Sequence, residues 1–189
     1  LLFEKNPIWR DSFYIDMRRK EWTSMVIEEL IPSILFQRFS GIFIDTIDNA
    51  ETLESQDPQK YKGMKDAAIR LIKTIRLHFP EIKIMLNRGF PLLPELNQEI
   101  DMFLAEEIFA VHNFKTGEDK LGSQTVYQEL AGELKEAKKA NPKLEVYTLD
   151  YWNPKDPSGI ALIYKVQRKN GFIPYVATVK LNEIIAEPN

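Results

Sequence analysis

Cysteine is absent from the 189 residues of the chain, and this absence excludes disulfides, thiolate nucleophiles and Cys-rich zinc sites. No apolar run approaches the ~20 residues that cross a bilayer, so we expect no membrane span in this segment. A Gly-rich phosphate loop and a GxSxG elbow are also missing, which argues against nucleotide-binding and serine-hydrolase functions.

The chain lacks any concentrated block of basic residues. Its 25 Lys and Arg are interspersed with 28 Asp and Glu, and the net charge is -3, so nucleic acid is not an expected partner. With 44% hydrophobic and 28% charged residues, we expect residues 1–189 to form a single globular domain. Because the sequence opens on Leu1 rather than Met, we also expect it to be a piece of a longer protein.

Short β-rich runs alternate with amphipathic helical stretches, which predicts an α/β fold with a parallel sheet. Several of the runs are continuously apolar, as in strands that are covered on both faces. The six predicted strands are Ser12–Met17, Gly41–Asp45, Ile82–Asn87, Met102–Glu106, Leu144–Asp150 and Gly171–Val176.

Four stretches have helical periodicity: Lys20–Phe39, which Pro32 should kink or break, Tyr61–Phe79, Thr125–Ala140, and a last helix that starts after Asp156-Pro157-Ser158 and ends at Asn170-Gly171. Two long polar connections, Ile47–Gln59 and Phe109–Ser123, are predicted to be loops of the kind that often bind ligands.

Polar side chains end five of the predicted strands: Asp16, Asp45, Asn87, Glu106 and Asp150. The carboxyl ends of parallel strands share one edge of the sheet, so we expect these groups to converge in a carboxylate-rich cleft. Taken singly, each could equally be a loop cap or an ion-pair partner, and Asp48 could simply begin the turn after its strand. Of Glu106 and Glu107, only one can point toward the cleft, because side chains alternate along a strand.

Oxygen ligands of this kind also suit magnesium or calcium, so metal binding is the competing chemistry. No DxDxDG loop or HExxH pair is present, and the two histidines, His78 and His112, lack partners at ligand spacing. We therefore predict no metal and no cofactor, and we expect both histidines to be non-catalytic. Aromatic residues after the strand ends, among them Tyr151 and Trp152, are suited to the C–H faces of sugars.

Five motifs occur in the order found in glycoside hydrolase family 114: FYIDMR, GIFIDTID, IMLNRG, LAEEIF and LDY. Over about residues 9–152, the chain resembles the endo-α-1,4-polygalactosaminidases of that family and their bacterial branch once mislabelled as cysteinyl-tRNA synthetase-related. It reads FIDT where the polygalactosaminidases read DPDN. The resemblance implies a (β/α)8 TIM barrel, of which this chain would supply about the C-terminal five βα units plus an extra terminal strand.

The resemblance places Asp45 and Glu106 at the positions of the family's presumed catalytic carboxylates. The expected reaction is hydrolysis of glycosidic bonds in a polysaccharide, with a galactosamine-containing polymer as the candidate and a secreted or periplasmic location implied. We assign Glu106 as general acid/base and Asp45 as nucleophile or base. The predicted substrate-binding residues are Asp16, Asp48, Asn87, Arg88, Asp150, Tyr151 and Trp152.

Three other functions remain open from the sequence. A non-catalytic carbohydrate-binding barrel would keep the aromatic residues, a divalent-metal lyase or phosphodiesterase would use the same carboxylates as ligands, and a receiver-like signalling domain also has acidic strand ends. Because five units cannot close an eight-stranded barrel, we further predict an open sheet whose first strand has an unpaired edge.

Overall fold

The structure is a computed structural model that describes residues 5, 6 and 11–188; residues 1–4, 7–10 and 189 of the predicted domain lie outside this range. A parallel five-stranded sheet has the order β1-β2-β3-β6-β7, and β4 and β5 pair as an antiparallel hairpin. The strands are β1 Gly41–Ile44, β2 Lys83–Asn87, β3 Met102–Glu106, β4 Ala110–Asn113, β5 Glu118–Leu121, β6 Glu145–Tyr151 and β7 Ile173–Ala177.

Two helices precede β1, and the others connect successive strands of the sheet. They are α1 Lys20–Met25, α2 Ile31–Phe36, α3 Asn49–Gln56, α4 Met64–His78, α5 Leu93–Leu96, α6 Gln124–Ala140 and α7 Pro157–Lys169, with a 3-10 turn at Phe90–Leu92. Among the residues that the structure describes, every helix is too short or too polar to span a bilayer.

The strands of the sheet follow one another in chain order, as in a barrel wall and not as in a doubly wound sheet. One face is buried against the helices. Its fully buried residues include Ile84, Leu86, Phe103, Ala105 and Val146. On the opposite, uncovered face, Phe43 is 53% and Ile173 is 45% exposed. Among the described residues, none pairs with the outer edge of β1, so the sheet is open there, at the second of the predicted strands and not at the first.

Five of the six predicted strands are confirmed, but the prediction for Ser12–Met17 is wrong. Within that segment, the only described ladder contact is an isolated antiparallel bridge from Phe13 to Lys5. A parallel strand is stable only beside a partner, and a cavity of about 560 Å³ lined by both this segment and β1 takes the place of the pairing. The segment ends in a turn in which the Arg18 N–H donates to the Asp16 carboxylate.

Pro32 was predicted to kink or break the helix, but the helix instead changes its hydrogen-bonding pattern just before it. The helix continues from Lys20 to Phe36, with a π-helical turn at Val26–Leu30 between α1 and α2. The Ile31 N–H donates to the Val26 carbonyl, five residues back. The wider turn relieves the clash of the Pro32 ring with the preceding turn, so the proline is accommodated without a break.

The two predicted loops contain regular structure. Residues 47–59 include α3, whose buried Ala50 and Leu53 continue a helical spacing from Ile47. Residues 109–123 contain the β4–β5 hairpin, whose turn is stabilised by hydrogen bonds from the Lys115 and Thr116 N–H groups to the Asn113 side chain. Both elements are so polar that their periodicity is weak in the sequence.

Candidate active site

Four polar side chains meet on the uncovered face of the sheet. Asn87, Glu106 and Tyr151 are the last residues of β2, β3 and β6, and Asp45 directly follows β1. Side chains alternate along a strand, and the register of the sheet places these four on the same face as Phe43 and Leu104. We call this set the strand-end cluster.

The amide of Asn87 links the two carboxylates of the cluster. Its Nδ2 donates to Asp45 Oδ1 at 2.9 Å and to Glu106 Oε2 at 2.8 Å. The nearest oxygens of Asp45 and Glu106 therefore lie no farther apart than the two bonds together, about 5.7 Å. The Asn87 Oδ1 atom is buried and has no hydrogen-bond partner among the described residues, so one strong acceptor of the cluster remains open.

Tyr151 binds the other side of Glu106. Its hydroxyl donates a hydrogen bond to Glu106 Oε1. Burial, and then the neighbouring Glu106 carboxylate, raise the pKa of Tyr151 well above its ordinary value. Tyr151 is therefore protonated at every physiological pH and is a permanent hydroxyl partner for Glu106.

The backbone turns sharply immediately after each of three cluster residues. Thr46, Arg88 and Glu107 have φ angles of 55°, 58° and 56°, in the left-handed region that favours glycine. After the turn, the Thr46 N–H donates to Asp45 Oδ1 at 2.8 Å, and the Glu107 N–H donates to the Leu149 carbonyl. Non-glycine residues in this conformation cost about 1–2 kcal/mol each, and such strain is concentrated at functional sites.

Adjacent residues Glu106 and Glu107 have different partners. Glu106 bonds to Asn87 and Tyr151, whereas Glu107 Oε1 accepts the backbone N–H of His112 at 2.6 Å. Glu107 thus fixes the start of the hairpin to the end of β3.

Asp48 and Arg88 lie beside the strand-end cluster. Arg88 Nη1 donates to the Glu106 carbonyl at 3.1 Å, and Arg88 Nε lies 3.7 Å from Asp48 Oδ2. Burial raises the pKa of Asp48, although the Arg88 charge opposes this shift. Both side chains are partly exposed and within reach of a molecule bound at the cluster.

Asp16 and Asp150 do not join the cluster. Asp16 forms a bidentate ion pair with Arg18 at 2.8 and 2.9 Å, and the Arg18 hydrogen bond lowers the pKa of Asp16. Asp150 is fully buried and faces the helices. Its carboxylate accepts the Phe109 and Ala110 N–H groups and the Gln167 amide, and burial raises its pKa.

Trp152 lines a separate polar cleft that the sequence analysis did not find. The opposite wall is the hairpin, where His112 on β4 and Asp119 on β5 are directly opposed and His112 Nδ1 lies 2.7 Å from Asp119 Oδ1. A turn signal, Asn113 followed by Gly117, was present in the sequence and could have revealed the hairpin. Phe90 and Phe109, which follow strand ends, instead pack edge-on against Phe103 and Tyr127.

Metal binding is the competing chemistry for these carboxylates. Among the described residues, no group of three or more His, Asp or Glu side chains is placed to hold a metal ion. At the strand-end cluster, the donors nearest the carboxylates are instead an amide, a hydroxyl and a backbone N–H.

Comparison with solved structures identifies the fold. The glycoside hydrolase domain of PelA from Pseudomonas aeruginosa has a TM-score of 0.78 at 22% identity, with 94% of this chain and 70% of that chain covered. A glutamate-to-alanine variant of that domain has the same TM-score and identity, with 97% and 71% covered. The similarity confirms the predicted fold class, a TIM-type barrel of which this chain forms a part.

Two comparisons were made at the level of sequence, with curated proteins and with protein-family models, and the second identifies the family. No match was found among curated proteins. The model of the glycoside-hydrolase family GH114 matches residues 1–188. Because this match extends over nearly the whole chain, the chain belongs to glycoside hydrolase family GH114 and is a glycoside hydrolase.

Proposed function

We propose that the chain hydrolyses glycosidic bonds within a polysaccharide, with Asp45 and Glu106 as the two reacting carboxylates. The observation that carries this proposal is the single Asn87 amide nitrogen bonded to both carboxylates. It holds two acidic groups from different strands at a fixed short spacing on the uncovered face. Paired carboxylates at fixed spacing are the catalytic requirement of most glycoside hydrolases.

The partners of each carboxylate support a division of roles. Asp45 accepts N–H groups from Thr46 and Asn87 at the same oxygen, and these two donors hold its carboxylate in one orientation, as a nucleophile requires. Glu106 faces the Tyr151 hydroxyl, which can accept a hydrogen bond as well as donate one. Glu106 therefore has a partner in both protonation states, as a general acid/base requires.

The spacing of the carboxylates favours a retaining mechanism. Retaining enzymes separate their carboxylates by about 5 to 5.5 Å, whereas inverting enzymes need roughly 6.5 to 9.5 Å. The upper limit of about 5.7 Å between the nearest oxygens of Asp45 and Glu106 is closer to the first of these ranges.

In the proposed reaction, Asp45 attacks the anomeric carbon while Glu106 gives its proton to the leaving glycosidic oxygen. The C–O glycosidic bond breaks and a glycosyl ester forms on Asp45. Glu106 then takes a proton from water, whose oxygen attacks the same carbon and releases Asp45. The second inversion restores the original anomeric configuration.

The open groups around the cluster suggest how the sugar is held. We assign substrate contacts to Asn87 Oδ1, Asp48, Arg88, Tyr151 and Trp152, and we give Asp16 and Asp150 structural roles because protein donors surround their carboxylates. Asp45 and Asp48 would favour an amine-bearing sugar, which supports a galactosamine-containing polymer. A secreted or periplasmic location would follow from such a substrate.

Three single variants test the assignment on a partially deacetylated α-1,4-linked N-acetylgalactosamine polymer. Glu106→Gln and Asp45→Asn should each lose about 10² to 10⁴ in turnover or more, with the melting temperature unchanged. Glu107→Gln is the matched control and should lose far less, because Glu107 binds the hairpin backbone. A dead Glu107→Gln beside an active Glu106→Gln would refute the assignment, and loss of activity with chelator would indicate a metal-dependent lyase instead.

The stereochemistry has its own test. Proton NMR of the first product released should show the anomer of the substrate linkage, before mutarotation. Initial release of the opposite anomer would refute retention.

A further inference from the structure

The cleft of about 630 Å³ beside Trp152 lies at the same edge of the sheet as the strand-end cluster. Trp152 directly follows Tyr151, the partner of Glu106, and Glu107 binds the N–H of His112 on the opposite wall. Both walls are thus attached to residues next to the cluster. A chain bound at the cluster would meet this cleft as it continues along the edge.

We propose that the cleft is a second sugar subsite, in which Trp152 is the stacking surface and the His112–Asp119 pair is the hydrogen-bonding partner of a neighbouring unit of the same polysaccharide. This inference rests on the proposed function and extends it from the bond that is cleaved to the chain on one side of it.

Trp152 is held in one orientation by the protein. Its Nε1 donates to Asp156 Oδ2 at 2.9 Å, and the other Asp156 oxygen accepts the Gly159 N–H at the start of α7. A Cβ atom at position 159 would lie 2.1 Å from Trp152 Nε1, so the ring requires glycine there. A fixed, partly exposed aromatic ring binds an apolar sugar face without losing rotational freedom on binding.

The His112–Asp119 pair is arranged for hydrogen bonding. Asp119 occupies Nδ1 of the imidazole and fixes the ring, whereas no described residue bonds to Nε2. Phe114 packs edge-on against the ring at 4.9 Å. An oriented imidazole nitrogen and a carboxylate are suited to adjacent sugar hydroxyls, which both donate and accept.

Two further features of the wall point to a ligand. The hydroxyl oxygen of Thr178 is buried and has no partner among the described residues. Carboxylates outnumber basic groups in the lining, where Glu118, Asp156 and Glu183 accompany Asp119 and only Lys180 is a permanent cation. This charge favours neutral or amine-bearing units and disfavours uronate or sulfate.

The test is the chain-length dependence of binding in the Glu106→Gln background, measured by calorimetry with α-1,4-linked N-acetylgalactosamine oligomers of increasing length. We expect affinity to rise roughly tenfold once an oligomer reaches the cleft. His112→Ala and Trp152→Ala should each abolish most of that rise, whereas Trp152→Phe should keep much of it. His78→Ala is the matched control, because the exposed His78 ends α4 at the opposite edge of the sheet.

The proposal would be overturned if affinity rose with oligomer length just as strongly in His112→Ala and Trp152→Ala. It would also be overturned if affinity did not rise with length in the parent. In the active enzyme, His112→Ala should raise KM for the polymer and leave kcat nearly unchanged. Failure of the proposed function is distinguishable, since it would leave Glu106→Gln and Asp45→Asn as active as the parent whatever the oligomer affinities are.

Discussion

Asp150 and Tyr151 are consecutive residues of β6 and have opposite environments. Asp150 faces the helices, is fully buried, and is surrounded by the Phe109 and Ala110 N–H groups and the Gln167 amide. Tyr151 faces the uncovered side and donates to Glu106, whose cluster still contains the unpartnered Asn87 Oδ1. Both lie at the same strand end, so position along the strand alone does not distinguish a site from a structural carboxylate.

The difference is in how completely the protein satisfies each polar group. The Asp150 network continues from Gln167 to the Tyr127 hydroxyl and then to Asn170, so it joins β6, α6, α7 and the hairpin. A network with all its partners supplied by the protein rigidifies the fold. The strand-end cluster retains an unpaired acceptor, the buried Asn87 Oδ1, and an exposed Asp45, whose carboxylate substrate can reach directly.

The largest effect should come from Asp150→Ala, and it should be on folding. Removing the carboxylate leaves three buried N–H donors without an acceptor, so we expect the free energy of unfolding to fall by about 3 kcal/mol. Denaturant unfolding measures this loss. Asp150→Asn, which keeps one acceptor, should lose less; a fully stable but inactive Asp150→Ala would contradict the structural role.

Asn87→Ala should act mainly on turnover. It removes the donor shared by Asp45 and Glu106, and we expect kcat to fall about a hundredfold, or about 2.7 kcal/mol in barrier height. Steady-state rates on the polymer check this prediction. The control is Asn97→Ala, a buried amide away from the cluster, which should change stability and not rate.

Tyr151→Phe removes one hydroxyl from Glu106 and should slow turnover about tenfold, or about 1.4 kcal/mol. Tyr147 offers a close control, since it lies on the same strand and face and its hydroxyl donates to Glu145 at 2.8 Å. Tyr151→Phe should therefore turn over more slowly than Tyr147→Phe, by most of this tenfold factor. Equal rates would show that the hydroxyl at Glu106 has no catalytic role.

The smallest effect concerns Asp101, a structural carboxylate at the other end of the sheet. Burial alone would raise the pKa of Asp101, but hydrogen bonds from Lys83, the Ile84 N–H and Arg76 hold it below its ordinary value. A lowered folded pKa contributes stability above the unfolded pKa, and this contribution is lost as pH falls through the folded value.

Asp101→Asn should therefore cost about 1 kcal/mol at neutral pH and flatten the loss of stability below about pH 4. Thermal unfolding as a function of pH measures both quantities. The exposed Asp66 on α4 provides the control, and Asp66→Asn should leave the acid limb of the curve in place.

Short runs rich in β-branched, aromatic and other apolar residues were sufficient to predict β1, β2, β3, β6 and β7 from the sequence, because these residues are close together in the chain and leave a strong local signal. Elements stabilised by a few long-range contacts were not predictable. The hairpin strand Glu118–Leu121 is almost entirely polar, and α3 buries little beyond Ala50 and Leu53. Ser12–Met17 has the composition of a strand, but strand formation also needs a neighbour, which composition does not reveal.

The convergence of Asp45, Asn87 and Glu106 followed from their positions at strand ends. The face to which Asp150 points could not be predicted in this way, since a strand end fixes the edge of the sheet and not the side. Asp16 is not at a strand end at all, because its segment forms no strand of the sheet. Because side chains alternate along a strand, a known register would have shown that Asp150 and Tyr151 point to opposite faces of the sheet. The role of Asn87 as the link between two carboxylates needed three-dimensional distances.

The left-handed residues Thr46, Arg88 and Glu107 also have a consequence for engineering. A programme to raise thermostability by removing unfavourable backbone conformations would select these three positions early. Each one directly follows Asp45, Asn87 or Glu106, and relaxing its φ would redirect that preceding side chain. Heat resistance gained there should therefore come at the expense of catalysis, so stabilising substitutions are better sought in the helices on the far face of the sheet.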